Sequence, residues 1–544
     1  MTDKHAQKPW YRVIAVAMGL VLLTAACGGD DDDSGGSDAG TDETTTTEAR
    51  QPEGTPVKGG ELVFGTESDV ATLDVGAAAQ PSDKVITLGV FDPLTTWEDG
   101  ELVPYLAESY EASDDLSSYS MTLRSGVTFH DGTPLNADAV VQHFNRMKDP
   151  ATGCPCQATA NEVASVDTPD GPEGLTLVFN LVTPSVAFPA NLAESLGYIP
   201  SPTAVAASGP DFKNNPVGTG PFRLTAFAPG ERVVLEAYEG YWQKDENGIQ
   251  LPYLDKLTIV PIADSGQRVA ALESGDIDIF QTADSATIAT SEDRGFTVQK
   301  ISGSSSTIIL MNNSKPPFDD VRARQALAYA INKDVLNERA YDGVRVPSFS
   351  GFATDSSYYN PDAGTPQYDP EKAAELVEEL GGLDFSLVCI PTPEADLLLQ
   401  LIKQMGEEVG MNIKLESQEQ GAYVNRMFSK SGDYEAGCFR SSHFIEPDAI
   451  RDGLTTDDPG NLAFYSNAEV DEALDQGRQT ADVEERREHY FKVQEITGEE
   501  VPLITTLYDL FGNVYNADKV GPPPPGEANS LGAIKPGFLY VAGG

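Results

Sequence analysis

The stretch from Leu106 to Met147 constrains the fold of this chain most strongly, because it predicts a strand, a hairpin and a capped helix in succession. Tyr119, Met121 and Leu123 alternate with polar residues, which is the period of a half-buried strand. A Ser-Gly turn follows, and the apolar residues after it predict the second strand of a hairpin at 127–129.

A helix with its own start signal completes the stretch. Asn136 is suited to cap it, and Asp138 places a negative charge near the positive helix start. The apolar residues form a single stripe at Val140, Val141, Phe144 and Met147, which predicts a helix with one buried face.

The residue order here, LAES and then LRSGVTFHDGTPLNADAVV, closely resembles the signature of the family 5 extracellular solute-binding proteins. These are the receptors of peptide, nickel and related ABC importers. NPVGTGPFRLTAFAPGERVVLEAYEGYW at 215–242 and PPFDDVRARQALAYAINKD at 316–334 extend the resemblance in the same order, and it covers residues 59 to about 515. It implies an α/β, two-lobed periplasmic-binding-protein-like fold of type II, with an extra subdomain in the first lobe.

The resemblance also implies the domain boundaries. We expect lobe I at 59–310, including a subdomain at about 102–210, lobe II at 311–500, and a return to lobe I at 501–544. The hinge is expected near Ile309 to Asn313. Strand, helix and strand signals at 257–280 predict a parallel crossover of the kind that α/β lobes contain.

Two local predictions depend on glycine and on helical spacing. Gly218 and Gly220 are interpreted as turn formers, because glycine permits backbone conformations that a side chain forbids. Leu327, Ile331 and Val335 are spaced four apart and predict one continuous helix. Two arginines in its first turns, Arg322 and Arg324, are expected on a solvated face rather than as anion ligands.

The N-terminus resembles an export signal. A basic start and the apolar run from Val13 to Leu23 precede the small residues before Cys27. The run is shorter than the ~20 residues that span a bilayer. Leu23-Thr24-Ala25-Ala26-Cys27 resembles a lipobox, although Thr24 stands where leucine is most common. We therefore expect a signal peptide at 1–26 and lipidation at Cys27, with an ordinary secretory signal as the alternative.

Residues 27–58 are acidic and rich in Gly, Ser and Thr, with almost no residue able to enter a core. Such a segment is predicted to be a disordered tether between a lipid anchor and the folded body. The formal net charge of the chain is -49, which argues against nucleic acid or an anionic membrane surface as a partner.

Four cysteines follow Cys27, and export makes disulfides permissible. A Cys389–Cys438 bond would staple the second lobe, and a Cys154–Cys156 bond would close a tight ring. The sequence leaves the pairing open. A metal site is not expected, because Cys154 and Cys156 lack a second pair of ligands nearby.

The segment DYEAGCFRSSHFIEPDAI is the most informative about the ligand. In the oligopeptide and dipeptide receptors of the family, a turn here supplies an aspartate for the α-amino group of the peptide. His443 aligns with that position, and a neutral imidazole cannot neutralise an ammonium. This departure counts against a conventional free peptide and makes Glu67 the first candidate counter-charge. Arg440 either clamps a carboxylate or phosphate or pairs with Glu446 or Asp448.

The ligand-binding residues that we expect lie at predicted strand ends, in the segment after the first strand and around the junction: Thr66, Glu67, Trp97, Gln281, Asn312, Phe439, Arg440, Ser442 and His443. Tyr508 or Asp509 is expected to line the hinge. An enzyme is not expected, because the chain lacks GxSxG and HExxH, and we expect no cofactor. His130 is interpreted as structural.

The chain is therefore interpreted as a lipid-anchored receptor on the outer face of the cell membrane. It is expected to be a monomer that closes around a small solute, a peptide or peptide-like compound, and delivers it to an ABC permease and ATPase. The alternatives are a receptor for a metal chelate, an opine or a sugar, and a surface sensor without transport.

Overall fold

The computed structural model describes residues 56–544 except 71, 79–80, 99, 195, 353, 355, 430, 443–445, 522–532 and 544. The signal peptide, Cys27, nearly all of the tether and His443 lie outside the described residues. Among the helices that are described, none is long and apolar enough to cross a bilayer.

The strands, in chain order, are β1 (Glu61–Thr66), β2 (Thr95–Glu98), β3 (Glu101–Pro104), β4 (Ala107–Ala112), β5 (Ser118–Leu123), β6 (Val163–Asp167), β7 (Thr176–Leu181), β8 (Phe222–Ala228), β9 (Arg232–Ala237), β10 (Lys256–Pro261), β11 (Ile279–Thr282), β12 (Thr297–Met311), β13 (Val346–Pro347), β14 (Leu383–Cys389), β15 (Met411–Ser417), β16 (Ala436–Ser442) and β17 (Leu503–Tyr515).

The α-helices are α1 (Pro81–Val90), α2 (Ala137–Lys148), α3 (Gln157–Asn161), α4 (Phe188–Asn191), α5 (Pro202–Ser208), α6 (Ser265–Ser274), α7 (Ser285–Ser291), α8 (Val321–Ala330), α9 (Lys333–Ala340), α10 (Pro370–Leu380), α11 (Pro393–Glu408), α12 (Gln420–Phe428), α13 (Arg451–Leu454), α14 (Ala468–Gln479) and α15 (Val483–Glu500).

One mixed sheet organises these elements, in the order β15-β14-β16-β12-β17-β11-β1-β10-β9-β8. We call β1 and β8–β11 the first half of the sheet, and β14–β16 the second half. The long strands β12 and β17 run antiparallel to each other and pair with both halves. The two halves are therefore joined by continuous backbone hydrogen bonding.

Apolar cores cover both faces of the second half. Ile309 and Met311 belong to the core under α8 to α11, whereas Ile308 and Leu310 belong to the core under α12, α14 and α15. This alternation along β12 is the two-residue period of a strand buried on both sides. The first half has cores of its own.

A separate four-stranded sheet, β4-β5-β7-β6, packs with α2 around its own core. We call it the small sheet. Tyr119, Met121 and Leu123 are buried there, as predicted. The hairpin prediction was wrong in its partner, because β5 pairs with β4 and β7. Residues 127–129 contribute only an isolated bridge between Thr128 and Pro134.

The predicted helix start is confirmed at α2. The side chain of Asn136 accepts a hydrogen bond from the backbone N–H of Ala139 at 3.0 Å. Val140, Phe144 and Met147 are buried along one face. The cap satisfies one of the amides that a helix start leaves without an internal partner.

Gly218 and Gly220 have a different role from the one predicted. Neither has a positive φ. A Cβ at Gly218 would lie 2.2 Å from the Val90 carbonyl oxygen, and one at Gly220 would lie 2.5 Å from the Val90 carbonyl carbon. The glycines are therefore required by the close approach of the end of α1.

The single helix predicted through 327–335 is two helices. The side chain of Asn332 accepts from the N–H of Val335 at 3.0 Å and starts α9. Arg322 is exposed as expected, but Arg324 is buried and donates to the carbonyl oxygens of Glu500 and Phe318. The solvated-face prediction was wrong for Arg324, because its guanidinium satisfies main-chain oxygens in the core.

Both disulfides left open by the sequence are formed. Cys389 at the end of β14 bonds Cys438 in β16, and Cys154 bonds Cys156 between α2 and α3. The first bond joins two strands that lie side by side in the second half.

Candidate functional site

Strand directions make the carboxyl ends of the two halves face each other. β11 runs in the same direction as β12, because both are antiparallel to β17. β1 and β10 are parallel to β11 and therefore share this direction. β16 is antiparallel to β12, and β14 and β15 run parallel to β16. Ligands of open α/β sheets bind beyond the carboxyl ends of strands, so this gap is the candidate site.

The register gives the width of the gap. Thr282, the last residue of β11, lies level with Lys300 of β12 through their common partner Gly512. Ser442, the last residue of β16, pairs with Ser305. The five-residue step from Lys300 to Ser305 corresponds to about 16 Å at the rise of a strand. Among the described strands, β12 and β17 are the two that cross this interval, and the register between them shifts there.

A buried arginine ties together the strand ends of the first half. Arg268 of α6 donates to the carbonyl oxygens of Ile262 and Ala263 after β10, at 2.7 and 3.0 Å. It also contacts Thr282 Oγ1 at 3.1 Å and Glu67 Oε1 at 2.9 Å. Glu67 Oε1 accepts further hydrogen bonds from the Thr282 hydroxyl and the Ala283 amide. The carboxylate of Glu67 is thereby fixed at the edge of the gap.

A second charged cluster lies where β12 and β17 cross. Asp509 of β17 accepts hydrogen bonds from the Ser305 hydroxyl at 2.6 Å and from Arg345 at 2.9 Å. It also forms an ion pair with Arg440, whose Nε lies 3.0 Å from its carboxylate. Both Asp509 and Arg345 have only 1% of their side-chain surface exposed. We call these residues, together with Glu394, the Asp509 cluster.

Arg345 links this cluster to both halves. Its other contacts are Glu394 at the start of α11, at 2.8 Å, and Ser285 at the start of α7, at 3.3 Å. Its guanidinium carbon lies 3.8 Å from the ring centre of Tyr341. Burial raises the pKa of Glu394, and the charge of Arg345 opposes that rise.

Arg440, Glu394 and Glu67, which are among the described residues of the gap, remain partly open to solvent. Arg440 keeps 51% of its side chain exposed, Glu394 45% and Glu67 38%. A guanidinium on one rim and two carboxylates are thus available to a solute, whereas Arg268 and Arg345 serve to hold those carboxylates. The arrangement suits a solute that carries both signs of charge.

The partners expected for Arg440 are occupied elsewhere. Glu446 pairs with Arg486. Asp448 accepts from the Tyr490 hydroxyl at 3.1 Å and lies 3.4 Å from Arg478. Of the two alternatives for Arg440, the ion pair exists, but its partner is Asp509.

The other predicted site residues are distributed unevenly. Thr66 and Gln281 are buried at the strand ends beside Glu67. The backbone of Ser442 pairs with Ser305, while His443 lies outside the described residues. These positions bring Thr66, Glu67, Gln281, Arg440 and Ser442 to the two edges of one gap.

Three predicted residues are not part of that group. Asn312 is fully buried, and its amide donates to the carbonyl oxygens of Gly432 and Tyr434 at 3.1 Å. Trp97 is half-buried in the β2–β3 hairpin. Phe439 packs against the core under α12, with its ring 5.7 Å from that of Phe428.

Sequence reasoning missed Arg345, Glu394, Arg268 and Ser305, although it named Asp509 as a hinge residue. Arg345 follows α9 and precedes β13, in a segment without a strand-end signal. Glu394 follows the start of α11, and its acidic first turn was the only local signal. Their importance depends on contacts with residues far away in the chain.

A further contact joins the small sheet to the second half. The backbone N–H of Val186 donates to the carbonyl oxygen of Arg478 at 2.8 Å. The guanidinium of Arg478 pairs with Glu162, next to β6, and approaches Asp448. This contact, which we call the Arg478 contact, consists of side chains and one main-chain hydrogen bond.

His130 has a structural environment, as interpreted. Its Nε2 donates to the carbonyl oxygen of Gly220 at 2.9 Å, and burial lowers its pKa to about 4. A neutral ring therefore fastens the Asp131-Gly132 turn to the segment that packs on α1. Within the described residues there is no cluster of three or more metal-ligating side chains.

Two α/β half-sheets with facing strand ends and two shared crossing strands define the class: a periplasmic-binding-protein fold with an added small antiparallel sheet. The chain belongs to the bacterial extracellular solute-binding proteins of family 5, whose "family 5 Middle" model matches residues 101–458. It is an extracytoplasmic solute-binding protein of the ABC-transporter type. The family binds solutes without transforming them, so the non-enzyme prediction is confirmed.

Individual relatives agree with this assignment. The glutathione-binding protein GsiB of Pectobacterium atrosepticum is 30% identical over 461 residues, which is 82% of this chain and 88% of that protein. The ABC transporter substrate-binding protein CtaP of Listeria monocytogenes is 25% identical, with a TM-score of 0.75 over 89% of this chain and 99% of that chain. DppA from Helicobacter pylori, in complex with the peptide STSA, is 24% identical with a TM-score of 0.74, over 89% and 98%. The DppA likeness shows the fold alone.

Proposed function

We propose that this protein is a lipid-anchored receptor that captures a peptide or peptide-like solute in the gap and delivers it to an ABC permease and ATPase. The observation that carries the proposal is the mixed charge of the rims. Arg440 offers exposed donors to a carboxylate, and Glu67 and Glu394 offer exposed oxygens to an ammonium. A peptide-like zwitterion supplies both partners.

The relatives support the same class of solute. GsiB of Pectobacterium atrosepticum is described as glutathione-binding, and DppA of Helicobacter pylori was solved with a peptide. In this proposal a different residue of the receptor holds the ammonium of the solute, because His443 aligns with the aspartate that has this role in the oligopeptide and dipeptide receptors of the family. Glu67 takes that role in the proposal, since Arg268, Thr282 and Ala283 position its carboxylate.

Closure is proposed to occur about the crossing strands. The register of β12 against β17 shifts between Ser302 and Ser306 and again before Ile308. We therefore move the proposed hinge from 309–313 to 302–307, since Ile308, Ile309 and Met311 are packed in the cores of the second half. Solute contacts made by both halves would favour the closed state over the open one.

The anchor is proposed from the sequence. Lipidation at Cys27, followed by the acidic segment rich in Gly, Ser and Thr up to residue 58, would hold the folded body near the outer face of the membrane. Mass analysis of the mature N-terminus tests this directly. A diacylated Cys27 supports the anchor, and an unmodified N-terminus overturns it. A Cys27→Ser variant, which should appear in the medium, is the control.

The solute itself is tested by mass spectrometry. The full chain is produced with its own export signal in a bacterial host, purified without unfolding, and then denatured to release what it carries. A peptide or peptide conjugate supports the proposal. A metal chelate, an opine or a sugar overturns the peptide assignment. If nothing is released, calorimetric titration with glutathione and with tripeptides decides, and absence of binding to both overturns it.

An Arg440→Gln variant connects the solute to the gap. The substitution removes the charge and leaves Asp509 paired with Arg345 and Ser305. We expect at least about tenfold weaker binding of a carboxylate-bearing solute. Lys414→Gln, at a lysine with 75% of its side chain exposed, is the matched control and should bind normally.

A further inference from the structure

We propose that a cavity beside β16, named here the Phe352 pocket, is a subsite for an uncharged apolar group of the bound solute, such as a branched aliphatic side chain or a small ring. The inference rests on the proposed function, because it assigns the pocket to the solute held at the strand ends. It adds a determinant of which solutes are accepted.

The pocket lies within the second half of the molecule and has a volume of about 110 Å³. The segment 349–352, the turn and helix at 446–454, α15 and the start of β17 enclose it. Its apolar walls include Phe349, Phe352, Ile450, Leu454, Pro502 and Leu503. Gly351, Gly364, Gly453 and Gly498 also line it, and the absence of side chains at these four positions enlarges the cavity.

The side-chain amide of Gln494, in the wall of the pocket, already has its hydrogen-bond partners. Gln494 donates to the carbonyl oxygens of Tyr358 and Tyr490, and its Oε1 accepts from the Ser350 hydroxyl and from the backbone N–H of Asn360. A solute group in the pocket would therefore find no free hydrogen-bonding capacity on Gln494. This favours an apolar occupant, because a buried polar group without a partner is costly.

Two threonines and a carboxylate of the wall lead to the same conclusion. Thr497 donates to the carbonyl oxygen of Val493 at 2.7 Å, and Thr505 donates to that of Ser348 at 3.0 Å. The one carboxylate in the wall, Glu446, is paired with Arg486. A charged occupant would have to compete with these internal bonds.

The position of the pocket connects it to the gap. Ser441 lines the pocket and directly follows Arg440, whose side chain contacts Asp509. Successive residues of a strand point to opposite faces, so the pocket and the Asp509 cluster lie on the two faces of β16 at its carboxyl end. A solute bound at that end can place its charged group against Arg440 and an apolar group in the pocket.

The volume limits the size of the occupant. Apolar cavities of ~150 Å³ hold a benzene ring. At about 110 Å³, the pocket suits the isobutyl group of leucine. Burial of such a group is expected to strengthen binding by about tenfold or more compared with a methyl group.

Gly453 is a wall position at which a side chain can be added without strain. It lines the cavity within α13, its φ is not positive, and a Cβ there would meet no atom within 4 Å. Gly453→Leu therefore adds an isobutyl group at the wall. Ala449→Leu, on the preceding turn, fills the pocket from a second position. Ala206→Leu, at an exposed position of α5, adds the same atoms elsewhere and is the control.

The test is calorimetric titration of the exported full chain with Ala-Leu-Ala and Ala-Ala-Ala. We expect the wild type and Ala206→Leu to prefer Ala-Leu-Ala by about tenfold. Gly453→Leu should abolish that preference and keep the affinity for Ala-Ala-Ala within about twofold of the wild type. A preference that survives in both filled variants, or equal measurable affinities of the wild type for the two peptides, overturns the pocket while leaving the proposed function intact.

A second probe keeps the pocket testable if neither peptide binds, an outcome that would count against the proposed function alone. Isovaleramide, which carries the leucine side chain without charges, is titrated while the methyl signals of Ile450 and Leu454 are followed by NMR. Saturable shifts in the wild type that Gly453→Leu removes support the subsite. Unchanged methyl signals overturn it.

Discussion

Arg345 and Arg478 are both buried arginines that join distant parts of the molecule, but they do so in opposite ways. Arg345 is placed where β12 and β17 carry the backbone from one half of the sheet to the other, and it is bound to Asp509 and Glu394. Arg478 joins the small sheet to the second half through side chains and one main-chain hydrogen bond. The first connection cannot separate without breaking the sheet, whereas the second can.

Arg345 and Arg478 therefore have different roles, although both form ion pairs. An ion pair buried beside continuous strands contributes to the folded state whether or not a solute is bound. A contact made by side chains at a distance from the crossing strands is free to form on closure and to break on opening. We therefore expect substitution of Asp509 or Arg345 to change stability, and substitutions at the Arg478 contact to change solute release.

The largest expected effect comes from Asp509→Ala. It leaves the buried charge of Arg345 with Glu394 alone and should lower the free energy of unfolding by about 3–5 kcal/mol. Urea denaturation measures the loss. Asp518→Ala, at an exposed carboxylate just after β17, should change stability by less than about 0.5 kcal/mol. A loss below about 1 kcal/mol for Asp509→Ala would mean that Arg345 is not held by this cluster.

A buried cation without such a cluster sharpens the comparison. Lys333 of α9 donates to the carbonyl oxygen of Ser348 and to Thr365, and burial lowers its pKa from 10.5 to about 7. Between these values the unfolded chain binds more protons than the folded chain, so the contribution of Lys333 to unfolding free energy increases with pH from about 7 to about 10.5 and is constant below about 7.

Lys333→Met should remove that increase, which amounts to roughly 2–4 kcal/mol. Urea denaturation at a series of pH values between about 6.5 and 9.5 measures the difference from the wild type. The exposed Lys372→Met variant should follow the wild-type curve. Parallel curves for the wild type and Lys333→Met would show that Lys333 titrates normally.

Glu162→Gln addresses the Arg478 contact. It removes the charge on the small-sheet side and leaves Arg478 beside Asp448. We expect stability to change by less than about 1 kcal/mol and the copurified solute to dissociate about fivefold faster, since a partly exposed pair contributes about 1 kcal/mol. Stopped-flow fluorescence measures the rate, with Glu111→Gln on the small sheet as the control. An unchanged rate combined with lost stability would reverse the assignment.

The smallest effect is expected at Asp452, close to the same contact. Partial burial, followed by the charges of Asp458, Glu162 and Asp448, raises its pKa from 3.8 to about 6. The folded chain binds the extra proton in this window, so the wild type loses stability as the pH rises through it.

Asp452→Asn should therefore be more stable than the wild type at pH 7 and equal to it near pH 4. Solvent exposure of Asp452 limits the gain to less than about 1 kcal/mol. Calorimetric melting temperatures at the two pH values measure it. A gain of the same size at both values would contradict the titration of Asp452.

Local signals accounted for most of the elements. The capped start of α2, the buried alternation of β5, and the parallel crossover from β10 to β11 all follow from residues that lie close together in the chain. The predictions were wrong where a local sequence pattern is compatible with two different structures. Asn332 within an apolar repeat started a new helix, and β5 paired with the strand before it.

The candidate site was predictable only in part. Glu67 and Arg440 were found because they follow or end predicted strands, and the structure places both on the rims of the gap. Arg268 and Arg345, which hold the carboxylates of the gap, lie 201 and 164 residues from Glu67 and Asp509 respectively. No local pattern reports a contact over that separation.

The sequence by itself determined the family, the order of strands and helices, and most of the positions at which the strands end, because these depend on short-range periodicity, capping and motifs. The tertiary structure decided that Arg440 pairs with Asp509 rather than with Glu446 or Asp448, that Gly218 and Gly220 serve close packing, and that Ser441 opens onto an apolar pocket. These outcomes depend on which side chains the sheet brings together, and that is a property of the folded chain.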